Sequence, residues 1–460
     1  MKSLIPYHLL CIAMWMSALP AMANPYQPNI IYIMADDLGY GDLSCFGQKK
    51  FKTPHLDRLA AEGVTFTDYY AGSTVCAPTR CVLMTGLHTG HALVRGNREV
   101  KPEGQAPMPA DTVTLPLLLK KAGYVTGMFG QWGLGAPGST SDPCRHFDQF
   151  YGYNCQREAH SFYPEHLWHN DKKVLLDGKT YSADLIAAQS LKFVRANANK
   201  EKPFFLYLPY TLPHAAMQVP KDSHAPFRKK FPQFEDKIGS YANSQVKNPV
   251  AAFAGMVTRM DRHVGELMSL LMELGIDGQT IVSFTSDNGP HREGGHDPVF
   301  FNSNGPLKGH KRDLYEGGIR VPFIARWPGK IKPNSMCDHP TAMWDVMPTC
   351  LQIAGVDTPA KTDGISYLPA LLGKMEQQKT HDYLFWAFYE QGGKQAIRMG
   401  KWKGVRNNVG RSPDSTLELY DLSNDLDESN NIAASHPDIV KQLDGFMESA
   451  NDESPLWSFR

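Results

Sequence analysis

Ile30-Ile31-Tyr32-Ile33-Met34 runs without a polar break into Ala35-Asp36-Asp37. A strand with one face in water alternates apolar and polar residues. An unbroken apolar run that ends abruptly in acid is the pattern of a parallel strand buried on both faces. Phe204-Phe205-Leu206-Tyr207-Leu208, Thr280-Ile281-Val282-Ser283-Phe284 and Val321-Pro322-Phe323-Ile324-Ala325 repeat the pattern. Helical spacing lies between them. Thr53 and Pro54 form an N-cap and first-turn proline ahead of Leu56, Leu59 and Ala60, with Gly63 closing the helix. A longer helix carries Val257, Met260, Val264, Leu267, Leu271 and Leu274 and ends at Gly275. This alternation predicts an α/β fold, a large, mostly parallel sheet flanked by helices.

The texture changes after Gly355. Short strand-like segments at Tyr383–Phe388, Gln395–Met399, Lys401–Val405 and Leu417–Leu422 precede a helical pattern over Pro437–Ala450. They predict a smaller C-terminal α+β subdomain, with a small antiparallel sheet and a helix, over 356–460; the main domain then covers 24–355. The first residues read differently. Lys2 gives a positive start, and Leu9–Met16 an apolar core shorter than the roughly 20 residues of a membrane span. Ala21-Met22-Ala23 follows with small-x-small spacing. Residues 1–23 are expected to be a signal peptide cut after Ala23, making the protein secreted or periplasmic, with no membrane span. Without Cys11, seven of the eight cysteines remain, an odd number for an exported chain. Cys144 and Cys155 are spaced to pair across a loop, although sequence alone sets no connectivity.

Charge excludes one class of partner. Forty-seven Lys and Arg balance 47 Asp and Glu, and no long basic run occurs, so no nucleic-acid partner is expected. A 42% hydrophobic content argues for a packed chain and against disorder.

Two acidic pairs follow predicted strands. Ligands in open α/β sheets collect at the carboxyl ends of strands, where Asp36-Asp37 and Asp287-Asn288 both fall. Either pair alone is ordinary turn chemistry. Together, three carboxylates and an amide oxygen suit calcium or magnesium, with no thiolate or imidazole set for zinc. Cys76-Ala77-Pro78-Thr79-Arg80 adds a thiol at the start of a helix, near its exposed N–H groups, with a fixed cation beside it. From the residues alone, Cys76 is either a low-pKa thiol or a disulfide partner.

This stretch, followed by Thr85-Gly86, resembles the sulfatase family of the alkaline-phosphatase-like superfamily. The resemblance runs from about Asn29 to about Ala433. It takes in Asp36–Asp42, Phe147-Asp148, Gly152-Tyr153, Ser286–Gly289, Lys311, Tyr315–Pro322 and Asp345 with Pro348-Thr349. It implies a sulfuric ester hydrolase, similar to arylsulfatases and bacterial carbohydrate sulfatases. By the same resemblance a maturation enzyme oxidises Cys76 to formylglycine (3-oxoalanine), whose hydrate is the nucleophile. Asp36, Asp37, Asp287 and Asn288 would bind Ca²⁺, and Arg80 would hold the hydrate and the sulfate. His214 would be the general acid at the ester oxygen, and Lys311 would reach the sulfate. Thr79 stands where serine or alanine is usual.

One block departs from the family pattern. Sulfatases usually carry Gly-Lys-Trp-His-Leu-Gly, whereas this chain has Gly130-Gln131-Trp132-Gly133-Leu134-Gly135. A cation and a base are missing, and His160, His291 or His296 is the candidate to fill the space at Gly133. Gln156-Arg157-Glu158-Ala159-His160, with Tyr163 and Trp168, is rich in sugar-binding side chains. Gln131, Arg157, His160 and His291 are therefore the candidate substrate contacts. A sulfated carbohydrate is the expected substrate, galactose or N-acetylgalactosamine sulfate first. The alternatives are a phosphonate or phosphate ester hydrolase of the same superfamily, or an impaired enzyme that binds sulfated glycan.

Overall fold

The computed structural model describes residues 27–412 and 415–459, so the expected signal peptide lies outside the described residues. Its centre is a ten-stranded sheet. Thr280–Ser286, Asn29–Ala35, Phe204–Pro209, Val125–Gln131 and Gln149–Tyr153 lie side by side in that order, all parallel. Val64–Phe66, Phe323–Arg326 and Ser335–Cys337 extend one margin, and the His166–His169 and Lys172–Leu175 hairpin extends the other.

The opening strand behaves as its composition requires. Ile30, Tyr32 and Met34 enter one core with the helix Cys76–Thr85, while Ile31, Ile33 and Ala35 enter the other with the helix Pro249–Glu273. Both faces are thus dry, and each buried Ile contributes roughly 1.5–3 kcal/mol. Asn248 caps the long helix by accepting from Ala251 N at 3.0 Å.

Three expectations change in detail. The Phe323–Arg326 strand is antiparallel to Thr280–Ser286 and to Val64–Phe66. Its apolar run reports burial on both faces, which both directions satisfy. Gly63 lies just beyond the helix Pro54–Ala61, where a Cβ would stand 2.1 Å from Ala325 O, so the glycine serves that close approach. Cys144 and Cys155 are both free.

Beyond Gly355 the chain forms the antiparallel sheet Leu384–Phe388, Lys394–Met399, Trp402–Asn407 and Glu418–Asp421, covered by the helix Pro437–Ser449. This sheet docks on the main body, with Trp386 Nε1 donating to Ala71 O at 2.9 Å. Among the described residues no helix is long and apolar enough to cross a membrane.

Candidate active site

Parallel register brings the two acidic pairs together. Ala35 lies opposite Ser286, so the chain leaves both strands at one level and presents Asp36-Asp37 beside Asp287-Asn288. Asp37 takes a left-handed turn (φ 67°), its N donates to Asp287 Oδ1 at 2.9 Å, and Asn288 Nδ2 donates to Asp37 Oδ1 at 2.7 Å. On the other side of the central strand, Phe204–Pro209 leads to His214, and the next strand ends at Gln131. Four adjacent strands therefore converge on one site at their carboxyl ends.

Cys76 is the first residue of its helix, as Pro78 requires, and its Sγ lies 3.4 Å from Asp36 Oδ1. Of the two readings of this thiol from its residues alone, the disulfide partner does not hold. Cys76 has no disulfide partner, and burial, then the Asp36 charge, push its pKa well up. Arg80 sits one turn later, 1% exposed. Its Nη2 donates to Asp36 Oδ2 at 3.2 Å and lies 3.6 Å from Asp287 Oδ2, and its Nη1 donates to Gln131 O at 2.7 Å. Thr79 Oγ1 donates to Asp287 O at 3.0 Å, so the unusual residue braces the acidic loop.

Lys311 Nζ lies 2.8 Å from Asp37 Oδ2 and donates to His214 Nε2 at 2.9 Å, while His214 Nδ1 donates to Ala215 O. Burial, then Lys311, lowers the His214 pKa well below the usual imidazole value, so the ring is neutral in this state and its Nε2 accepts the Lys311 hydrogen bond. Burial opposes the Lys311 charge, but Asp37 and its neighbours raise its pKa further above its ordinary value.

The acidic cluster is incomplete in itself. Among the described residues, Asp36, Asp37 and Asp287 face only Arg80 and Lys311 as permanent cations, and Asp287 Oδ2 and Asn288 Oδ1 are buried without hydrogen-bond partners. Burial, with repulsion from the other carboxylates, pushes the pKa of Asp36 and of Asp287 up, a state that a divalent cation would reverse. Asp37 resists the same burial because Lys311 and His291 hold it down. An all-oxygen donor set with orphaned acceptors fits a hard cation.

The histidine candidates separate clearly. His160 stacks on His214 with ring centroids 3.9 Å apart, and its Nε2 is buried without a partner. His291 is used at both nitrogens, by Glu293 N and Pro213 O. His296 stacks on Phe253. Gly133 has φ 72°, and a Cβ there would face Arg80 Cδ at 3.5 Å and Gln156 Cγ at 3.6 Å. Arg157 lies at the exposed rim against Glu99 and Glu158, Trp168 bonds Glu103, and Tyr163 packs on Tyr181.

Two neighbours escape a sequence reading, and a third, Gln156, stands out there only as part of its sugar-binding segment. Tyr241, on the hairpin Ile238–Lys247, sets its ring edge-on to His160 and His214. Nothing in that hairpin's sequence marks it. Glu293 approaches Lys311 at 3.7 Å, and its only signal is its place shortly after Asp287-Asn288. Gln156 faces Gly133.

The Sulfatase family model matches residues 28–356, and that of the N-sulphoglucosamine sulphohydrolase C-terminal region matches 309–453. An N-acetylgalactosamine-6-O-sulfatase of Bacteroides thetaiotaomicron is 31% identical over 93% of this chain and 93% of its own length. Human arylsulfatase A is 30% identical over 92% of this chain and 87% of its own. A solved structure, Ps i-CgsB in complex with k-i-k-neocarrahexaose, superimposes with a TM-score of 0.79 at 28% identity, covering 94% of this chain and 95% of that one.

Proposed function

Because the chain belongs to the sulfatase family and is a sulfuric ester hydrolase, we propose that it is an exported carbohydrate sulfatase acting through Cys76 and a bound Ca²⁺. The observation that carries this reading is the convergence of Cys76 and Arg80 on an acidic cluster with two orphaned oxygen ligands. Asp36, Asp37, Asp287 and Asn288 would hold the cation. Formylglycine at position 76 would supply an oxygen nucleophile, and the cation would lower its pKa and draw the anion.

The residues divide the remaining work. Arg80, locked by Asp36 and Gln131 O, presents a fixed cation to the sulfate. Lys311 adds a second charge and donates to His214 Nε2, and that nitrogen, once protonated, would pass the proton to the leaving oxygen. Burial of the whole set excludes bulk water and strengthens each of these interactions. The substrate reading, a galacto-configured sulfated sugar, follows the relative that acts on N-acetylgalactosamine 6-O-sulfate. Export rests on the expected signal peptide, and the division into 24–355 and 356–460 remains part of the same proposal.

The test is release of sulfate and of phosphate from matched sulfated and phosphorylated oligosaccharides. Sulfate release well above phosphate release supports the reading. A reversed preference selects the phosphoester hydrolase, and retention of sulfated glycan without turnover selects a binding protein.

A further inference from the structure

The anion side of the site carries an unexplained set of polar atoms. Gln131 is fully buried, and neither its Nε2 nor its Oε1 has a partner. Gln156 is 5% exposed; its Oε1 accepts from Gln105 Nε2 at 2.6 Å, which leaves its Nε2 buried and unpartnered. His160 Nε2 is the fourth such atom, on a third side chain, with Nδ1 already 3.2 Å from Tyr241 OH. A buried amide without a hydrogen bond costs about 1–3 kcal/mol, so a cluster of orphans this dense points to a ligand.

Two of these side chains share one space, and the third belongs to the residue whose backbone anchors Arg80. Gln156 and His160 lie four residues apart around a single helical turn, Gln156–Ala159, which places them on one face. Gln156 Nε2 stands 3.7 Å from where a Gly133 Cβ would be, and that position is itself 3.5 Å from Arg80 Cδ. Gln131 O holds Arg80 Nη1, and His160 lies against His214. Gln156 and His160 therefore flank the gap between the Arg80 guanidinium and the Lys311–His214 pair, and the Gln131 backbone adjoins it at Arg80.

We propose that Gln156, with Gln131 and His160, forms a neutral donor arm that binds a non-bridging oxygen of the substrate's sulfate group. This rests on the sulfatase reading above. Gln156 is the pivot because Gln105 occupies its oxygen and turns its N–H₂ toward the gap. Neutral donors stabilise the anion without adding a cation to the site, and Gly133 leaves room for the amide.

The experiment is calorimetric titration of inorganic sulfate into the wild type, Gln156→Glu and Gln156→Met, with melting temperatures as the fold check. Gln156→Glu keeps the acceptor for Gln105 but adds a negative charge, whereas Gln156→Met removes the donor without adding charge, so a loss seen in both variants belongs to the donor and not to the Gln105 contact or to repulsion. The expected result is sulfate affinity weakened roughly 10- to 100-fold in both variants. Affinity within about twofold of wild type in a folded Gln156→Glu overturns the arm. So does unchanged sulfate affinity with a raised KM for sulfated oligosaccharide, which assigns Gln156 to a sugar hydroxyl instead. A wild type that binds sulfate but turns over no sulfate ester removes the functional reading and leaves the arm standing. Turnover by a wild type that shows no saturable sulfate binding does the reverse.

Discussion

Among the described residues, two largely buried ionic clusters are completed differently. Between the main sheet and the C-terminal sheet, Glu316 receives Lys403 Nζ at 2.7 Å, Tyr70 OH at 2.6 Å and Arg320 Nη1 at 3.2 Å. Asp68 takes Arg320 and Arg398, and Glu428 Oε2 accepts from Glu316 N at 2.6 Å. Three carboxylates meet three cations, and Glu428 Oε1, which lacks a hydrogen bond, still has Lys403 at 3.5 Å. At the strand ends, three carboxylates meet two permanent cations, and acceptors and donors are left over on both the metal side and the anion side. Buried charge that is balanced internally holds parts together. Buried charge left short of partners is kept for something that arrives.

That contrast can be broken from either side. Cys76→Ala is expected to lower sulfate release by at least about 10⁴-fold while leaving the melting temperature close to wild type, because the nucleophile precursor bears little of the packing. Lys403→Met should do the opposite. Leaving Glu316 buried beside one fewer cation costs about 3–5 kcal/mol, read from urea unfolding, with kcat/KM of the folded fraction unchanged.

Asp287→Asn sharpens the comparison. Removing one of the mutually repelling carboxylates should leave the metal-free protein as stable as wild type or more so, while sulfate release falls by about 10²–10³-fold. Calcium should raise the melting temperature of wild type and not of the variant, which differential scanning calorimetry would show.

The smallest effect concerns pH. Burial pushes the Glu428 pKa from its ordinary 4.5 up to about 7, with Lys403 opposing and Glu316 adding to the rise. A carboxyl raised in the folded state favours folding in its protonated form. Its contribution is full below 4.5 and is lost as pH rises through about 7. Glu428→Gln should flatten the stability change between about pH 5 and pH 8 by roughly 1–2 kcal/mol, measured by urea unfolding at each pH.

Much of the fold was readable because burial on both faces leaves a plain mark. The central strands and the long helix fall where their apolar patterns predict. Direction was not readable at Phe323–Arg326, since an apolar run is the same parallel or antiparallel. At the site, the acidic pairs and the Cys76–Arg80 segment were legible because each lies against a strand end or helix start. Tyr241 was not, and Gln156 was legible only as part of its segment. An amide and a phenol acquire meaning only when folding brings them to His160 and Gly133, and nothing in their local spacing encodes that meeting. Gln131 was visible as a departure, but only the structure reveals that both its amide atoms lack partners.

The most direct measurement plots sulfate release against the fraction of chains converted from thiol to aldehyde at position 76, both taken on the same preparations, with maturation varied. The expected rate is proportional to the converted fraction and passes through zero at no conversion. Turnover by fully unconverted thiol, or none by fully converted protein loaded with calcium, would contradict it.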